Sequence, residues 1–229
     1  MDKSRTKIEA MFNSIAGKYD FLNHLLTFNS DTRWRKQIAK NILKFNLPHN
    51  RILDAASGTG DLTLQLLKLN PASIESLDFS EKMLDVQREK ISDDRVNIIQ
   101  GDVTQMPYPD NEFDLITVGF GVRNFADLDA GLSEMKRVLK PGGHLIVIEN
   151  FNKQGFFITM LDKVYCGMLL PLVGNTVSGS EAYTYLFKSI KDFDTVEEFS
   201  ARCKKPGFDI FFKKNNLVGV VNTLYFKKL

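Results

Sequence analysis

The segment Leu53-Asp54-Ala55-Ala56-Ser57-Gly58-Thr59-Gly60-Asp61 restricts the fold of this chain more than any other. Ile52 and Leu53 end a short apolar run suited to a buried strand, and Leu62 to Leu69 opens a helical stretch. Gly58 and Gly60 between them permit a tight turn with a bare backbone. Strand, glycine turn and helix make the first corner of a nucleotide-binding fold. Amides in such a turn approach a ligand closely, and the adjoining helix N-terminus carries partial positive charge. A phosphate, a carboxylate or a ribose would each fit there.

The flanking residues narrow the choice. A dinucleotide fingerprint requires Gly-x-Gly-x-x-Gly, and Thr63 stands at the third glycine position. Asp54 and Asp61 bracket the turn, so a pyrophosphate would meet two carboxylates. A cationic ligand fits better, and S-adenosylmethionine offers a sulfonium and an ammonium group to such a site. The competing reading is an ordinary glycine turn with no ligand.

Two further corners follow. Ile74 to Leu77 reads as a strand ending at Asp78, 18 residues after Gly60, where an acidic side chain accepts the ribose hydroxyls of an adenosine ligand. Phe79 lies beside it. The alternative for Asp78 is a helix cap, since Ser80 and Glu81 suit a helix start. Val96 to Gln100 forms a third strand that runs into Gly101-Asp102-Val103, with Asp102 suited to an adenine amino group and Val103 to the ring face.

Around these corners the pattern predicts strands at 113–118 and 145–148, and helices at 62–69, 81–90 and 129–139. That alternation implies an α/β fold with a mainly parallel sheet and helices on both faces. Residues 1–48 read as a helical cover, with helices at 8–19, 21–26 and 32–45; Tyr19 and Arg33 are its notable polar residues. Residues 49–150 form the cofactor-binding core. Residues 151–195 are an insertion whose 156–173 stretch is apolar enough to be a buried helix, or else a lid over an apolar substrate or a contact with membrane. Helices at 182–190 and 196–202 precede two strands, 208–212 and 217–226, expected to pair antiparallel. The whole reads as a single domain.

A chain of 229 residues with 43% hydrophobic content can bury a full core. A net charge of +2 over 30 basic and 28 acidic residues leaves no footprint for nucleic acid. Cys166 and Cys203 lie far apart without a histidine cluster, so free thiols in a reducing cytoplasm are expected and no metal site is assigned. The polar start, Met1 to Lys7, lacks the apolar core of a signal peptide, and no run reaches the ~18 apolar residues of a membrane span.

Several longer stretches carry a resemblance. Residues 11–23 (MFNSIAGKYDFLN), 58–61 (GTGD), 77–84 (LDFSEKML), 109–111 (PDN), 119–124 (GFGVRN), 137–143 (RVLKPGG) and 182–186 (AYTYL) are similar to the quinone C-methyltransferase family. Its members methylate demethylmenaquinol or a polyprenyl benzoquinol. The glycine turn and the Lys-Pro-Gly-Gly turn are common to class I S-adenosylmethionine-dependent methyltransferases, whereas the stretches around Tyr19 and Arg123 are more specific. The resemblance implies a Rossmann-like class I fold with an antiparallel last strand. It also implies S-adenosyl-L-methionine as cofactor, with contacts from Thr59, Asp78, Asp102 and Val103 and with Gly119 near the methionine end. Tyr19, Asp54, Gly58, Gly60 and Phe79 complete the expected cofactor site. Arg123 is expected to stabilise the developing phenolate of a quinol, directly or through water, with Asn124 positioning it. An isoprenoid quinol is the expected substrate, with peripheral contact at the inner face of the cytoplasmic membrane and homodimer formation as further partner expectations. Another apolar acceptor, such as a phospholipid or sterol, and a non-catalytic cofactor-binding module are the alternatives.

Overall fold

The computed structural model describes residues 5–152 and 180–229. Its centre is a seven-stranded sheet in the order β3-β2-β1-β4-β5-β7-β6. The strands are β1 (Arg51–Ala55), β2 (Ser73–Asp78), β3 (Val96–Gln100), β4 (Phe113–Gly119), β5 (Leu139–Asn150), β6 (Phe208–Asn215) and β7 (Val221–Lys228). The first five pair in parallel; β7 runs antiparallel to both β5 and β6. The helices are α1 (Arg5–Leu26), α2 (Ser30–Lys44), α3 (Thr63–Leu66), α4 (Glu81–Lys90), α5 (Leu128–Val138), α6 (Ser180–Lys191) and α7 (Val196–Lys204).

Strands buried on both faces need apolar side chains on both, and β5 shows the division. Leu145 and Val147 join one cluster with Leu132, Met135, Phe199 and Phe226. Ile146 and Ile148 point the other way, to Ile38, Ile42, Leu66 and Tyr225. The two-residue period of a strand sends alternate side chains to opposite layers. Helices are therefore needed on both sides, as the alternation of strand and helix signals implied.

Most boundaries shift by a residue or two and β6 runs on to Asn215, but four differences change an element's character. The two helices expected at 8–19 and 21–26 are one continuous helix, α1, uninterrupted at Asp20. The helix expected at 62–69 shortens to α3, followed by a 3-10 turn at Leu67–Leu69 and a left-handed Asn70. The fifth strand extends back to Leu139: Phe113 pairs with Leu139 and Leu115 with His144, so Lys140 to Gly143 bulge out without ending the pairing. Leu217–Gly219 is a 3-10 turn, and the last strand starts at Val221. The apolar 156–173 stretch and Cys166 lie outside the described residues. Cys203 is a free, buried thiol whose pKa burial pushes up.

Caps follow the local chemistry. Ser80 accepts the Met83 amide at the start of α4, Asp127 accepts that of Ala130 on α5, and Thr195 with Glu198 forms a capping box on α7. No helix among the described residues is long and apolar enough to cross a membrane.

Candidate functional site

The carboxyl ends of β1 to β4 open into one pocket, whose empty volume of about 980 Å³ includes space open to solvent. It lies where the strand order reverses between β1 and β4, the usual ligand position in an open α/β sheet. The size is that of a small-molecule cleft.

The glycine turn forms its floor. Gly60 has φ +83°, and a Cβ there would sit 2.6 Å from Cγ of Gln87, so both backbone geometry and space demand glycine. Asp78, at the end of β2, is 5% exposed; its Oδ2 accepts the Gly58 amide at 2.9 Å and its Oδ1 the Ser80 amide at 2.9 Å. Ser80, not Asp78, is the helix cap. The Asp78 carboxylate is thereby fixed between the first and second corners, and burial pushes its pKa up to about 6. Asp54 is fully buried at the end of β1, accepting hydroxyl bonds from Thr63 at 2.6 Å and Thr117 at 2.8 Å. Its pKa also rises to about 6, chiefly through desolvation, against which the two hydroxyls pull. Ser76 and Gln87 continue this buried network, and Ser57 donates to Gln87. Thr63, where a dinucleotide site has glycine, is thus a partner of the carboxylate.

Asp102 accepts the amide and the hydroxyl of Thr104 and lines the pocket together with Val103. Gly119 ends β4, and Phe120 follows in a left-handed conformation at φ +60°. At Gly121 an added Cβ would lie 2.6 Å from that of Ala56, so the loops after β1 and β4 touch at this point. Asn124 reaches the pocket; its Oδ1 accepts the Tyr185 hydroxyl of α6 at 2.9 Å. Arg123 is not among the pocket-lining residues. It is 5% exposed, with Nη1 donating to the Phe120 carbonyl at 3.0 Å and forming a short ion pair with Glu149. Its Nε is buried without a hydrogen-bond partner. Burial raises the pKa of Glu149, with Arg123 the largest opposing influence. Tyr19, on α1, lines the same pocket; burial raises its pKa, and the charge of Arg123 opposes that shift.

Helix α1 is tied to the rim by polar contacts. The Thr59 hydroxyl donates to Asp20, Lys90 forms an ion pair with Asp20, and the Ser80 hydroxyl donates to Asn13 at 2.7 Å. Arg35, from α2, pairs with Asp31, and its guanidinium carbon lies 5.6 Å from the centre of the Phe120 ring. His24, Asp31 and Asp61 bring possible ligand atoms within 4.8 Å of one another. Arg35 already pairs with Asp31, and Lys90 pairs with one oxygen of Asp61 while shared with Asp20, so a metal ion would have to compete with two resident cations.

Of the expected cofactor residues, Tyr19, Asp54, Gly58, Thr59, Asp78, Phe79, Asp102, Val103 and Gly119 all line the pocket; Gly60 shapes the turn without lining it. Sequence reasoning left out Ile8, Phe12, Arg35 and Met83, which also line it. Arg35 had a signal: it lies three residues before Ile38 and seven before Ile42, on the buried face of α2. Four aspartates beside apolar Phe12, Phe79, Met83 and Val103 suit a ligand with cationic centres and an aromatic base. S-adenosylmethionine has that chemistry, and the residues present fit it.

The sequence profile of the ubiE/COQ5 methyltransferase family matches residues 1–227. The chain is 40% identical to the demethylmenaquinone methyltransferase of Bacteroides fragilis, with 90% of this chain and 86% of that protein covered. It is 38% identical to the ubiquinone/menaquinone biosynthesis C-methyltransferase UbiE of Geotalea daltonii, with 88% of each covered. A SAM-dependent methyltransferase from Aquifex aeolicus superposes with a TM-score of 0.60 at 18% identity, covering 83% of this chain and 89% of the other, which places the fold.

Proposed function

The chain belongs to the ubiE/COQ5 methyltransferase family, and from that premise we propose the acceptor and the residue roles of an S-adenosylmethionine-dependent C-methyltransferase of quinone biosynthesis. The acceptor is demethylmenaquinol, the reduced substrate implied by the name of the Bacteroides fragilis relative. The observation that supports the residue roles is the convergence of Asp78, Asp102 and Gly119, at or just beyond the ends of β2, β3 and β4, on one pocket floored by the glycine turn.

Asp78, with Phe79 beside it, takes the ribose hydroxyls; Asp102 and Val103 take the adenine amino group and ring. Gly58 and Thr59 hold the methionine side by their backbone in the turn that Gly60 shapes, Asp54 supplies negative potential beneath the cationic centre, and Tyr19 closes over it. When bound, the cofactor supplies an electrophilic methyl group on a sulfonium. A quinol ring carbon would be more nucleophilic once a phenolic proton, with a pKa near ~10, had left; methyl transfer would release the neutral thioether, and loss of the ring proton at that carbon would restore the aromatic ring. The chain's task is to align that carbon and to favour the phenolate. Asn124 is the polar side chain of the 119–124 loop that faces the acceptor, and Tyr185 steadies it. Arg123 acts from one layer behind: its charge is balanced by Glu149, and its bond to the Phe120 carbonyl fixes the loop. Arg123→Ala is expected to lower kcat by loosening the loop that carries Asn124, with the rising limb of the pH–rate profile left in place. Full turnover refutes that role.

Peripheral contact with the inner face of the cytoplasmic membrane is supported by Phe21, Leu25 and Phe28, which are 63%, 44% and 81% exposed around the end of α1. Phe21→Ser/Phe28→Ser is expected to reduce co-sedimentation with lipid vesicles, and equal sedimentation counts against this corner. Exposed Ile210 and Phe211 on edge strand β6 support a homodimer, which sedimentation velocity reads directly. The assay for the function is methyl transfer from labelled S-adenosylmethionine to demethylmenaquinol in detergent, with a polyprenyl benzoquinol and phosphatidylethanolamine in parallel. Label in demethylmenaquinol is the expected result; label only in another acceptor overturns the assignment.

A further inference from the structure

Five charged side chains line the pocket, and they are unevenly matched: Asp54, Asp61, Asp78 and Asp102 against Arg35. Arg35 is thus the one cation among the described lining residues. It is 7% exposed, a costly position for a charge. Its Nη1 donates to Asp31, and a guanidinium carries five N–H donors in a fixed fork. Asp61 lies 3.8 Å away, and the Phe120 ring lies under the guanidinium at 5.6 Å.

Its position along the sheet assigns it a part of the ligand. Asp78 and Asp102 lie at the β2 and β3 ends, while Phe120 follows β4 and Asp61 follows β1. Arg35 therefore sits at the opposite end of the pocket from the residues assigned to adenosine. At that end S-adenosylmethionine carries an α-ammonium and an α-carboxylate. The aspartates suit the ammonium and the sulfonium, but among them a carboxylate is repelled unless a cation stands beside it.

We infer that Arg35 is the anchor for the α-carboxylate of the cofactor, with Asp61 beside it presenting the opposite charge to the α-ammonium. This rests on the cofactor reading above. The Arg35–Asp61 pair forms a zwitterion-reading end that selects an intact amino-acid tail, whereas the adenosine end would accept any adenosyl thioether. Asp31 is a positioning residue that holds the fork toward the pocket.

The test compares S-adenosylhomocysteine with its decarboxylated analogue by titration calorimetry, which requires no turnover. The wild-type protein is expected to prefer S-adenosylhomocysteine by about 10- to 100-fold, the range of charge-assisted hydrogen bonds. In Arg35→Met the preference should fall to about threefold or less, by loss of affinity for S-adenosylhomocysteine while the analogue binds as before. Arg35→Lys, which keeps the charge without the fork, should retain an intermediate preference and serves if the methionine variant does not fold. Undiminished preference in both variants overturns the assignment, as does equal weakening of both ligands, which marks Arg35 as structural. Failure of the wild type to bind either compound overturns the cofactor reading, and this assignment with it.

Discussion

The Arg123–Glu149 ion pair allows a sharp stability prediction. Its side chains are 6% and 0% exposed, and the Glu149 carboxylate also accepts the Asn150 amide at 2.7 Å. Glu149→Gln keeps an acceptor for that amide but leaves a buried guanidinium without its counter-charge. Breaking one side of a buried pair costs about 3–5 kcal/mol. At ~2–4 °C per kcal/mol for a chain of this size, the melting temperature should fall by about 6–20 °C. Arg123→Met should cost a similar amount at pH 8. Its deficit should shrink on acidification: burial already raises the pKa of Glu149, and losing Arg123 removes the largest opposing influence. A folded-state pKa above the unfolded value favours the fold as pH falls, so relief should begin below the raised pKa and be complete below ~4.3. The double variant Arg123→Met/Glu149→Gln, with no buried charge left, should lie within about 2 kcal/mol of wild type. Calorimetric melts of the four proteins measure the cycle. Additive losses, with the double variant worse than either single one, refute the account of a coupled buried pair.

Asp78→Ala should weaken S-adenosylhomocysteine binding by at least about tenfold, since a charged acceptor is lost from the ribose position; calorimetric affinity within twofold of wild type removes Asp78 from the site. Asp54 and Asp78 both have pKa values pushed up to about 6. Acidification from these two groups therefore favours the fold of the free protein, while it removes the negative charge a cationic ligand requires. S-adenosylmethionine affinity is expected to drop by about ten- to a hundredfold between pH 8 and pH 5, and a flat profile contradicts ligand recognition by either carboxylate. Gly60→Ala should cost about 1–3 kcal/mol in urea unfolding, from a positive φ and a Cβ 2.6 Å from Gln87; a neutral substitution shows that the turn relaxes freely.

The parts of the site carried by short segments were legible in the sequence. Gly58, Asp78, Asp102 and Gly119 sit at or just after strand ends, and a strand's period and its terminating turn both lie within a few residues. Arg35 was not assigned because, beyond its helix neighbour Asp31, what places it at the pocket is remote in sequence: Asp61 after β1 and Phe120 after β4; Arg33, exposed on the same helix, drew notice instead. The placement of Arg123 was likewise out of reach. Its motif marks the loop after β4, but its withdrawal behind the pocket depends on Glu149, 26 residues later. Lys140-Pro141-Gly142-Gly143 reads as a turn, yet it is a bulge inside β5, because pairing with β4 resumes beyond it. A local breaker signal cannot register a neighbouring strand that tolerates the interruption.

Helix α1 has a kinetic consequence. It walls the pocket with Ile8, Phe12 and Tyr19, but it is fastened at the rim by Asp20 to Thr59 and Lys90 and by Asn13 to Ser80. Water and salt ions can substitute for these partners, as they cannot for the interlocked side chains under the sheet. The α1 wall is thus held partly by apolar packing, with Ile8, Ala16 and Leu22 buried and Phe12 against Phe79, and partly by charges that salt can screen. If release of spent cofactor requires α1 to lift, its rate should rise with ionic strength, which stopped-flow displacement of S-adenosylhomocysteine would read.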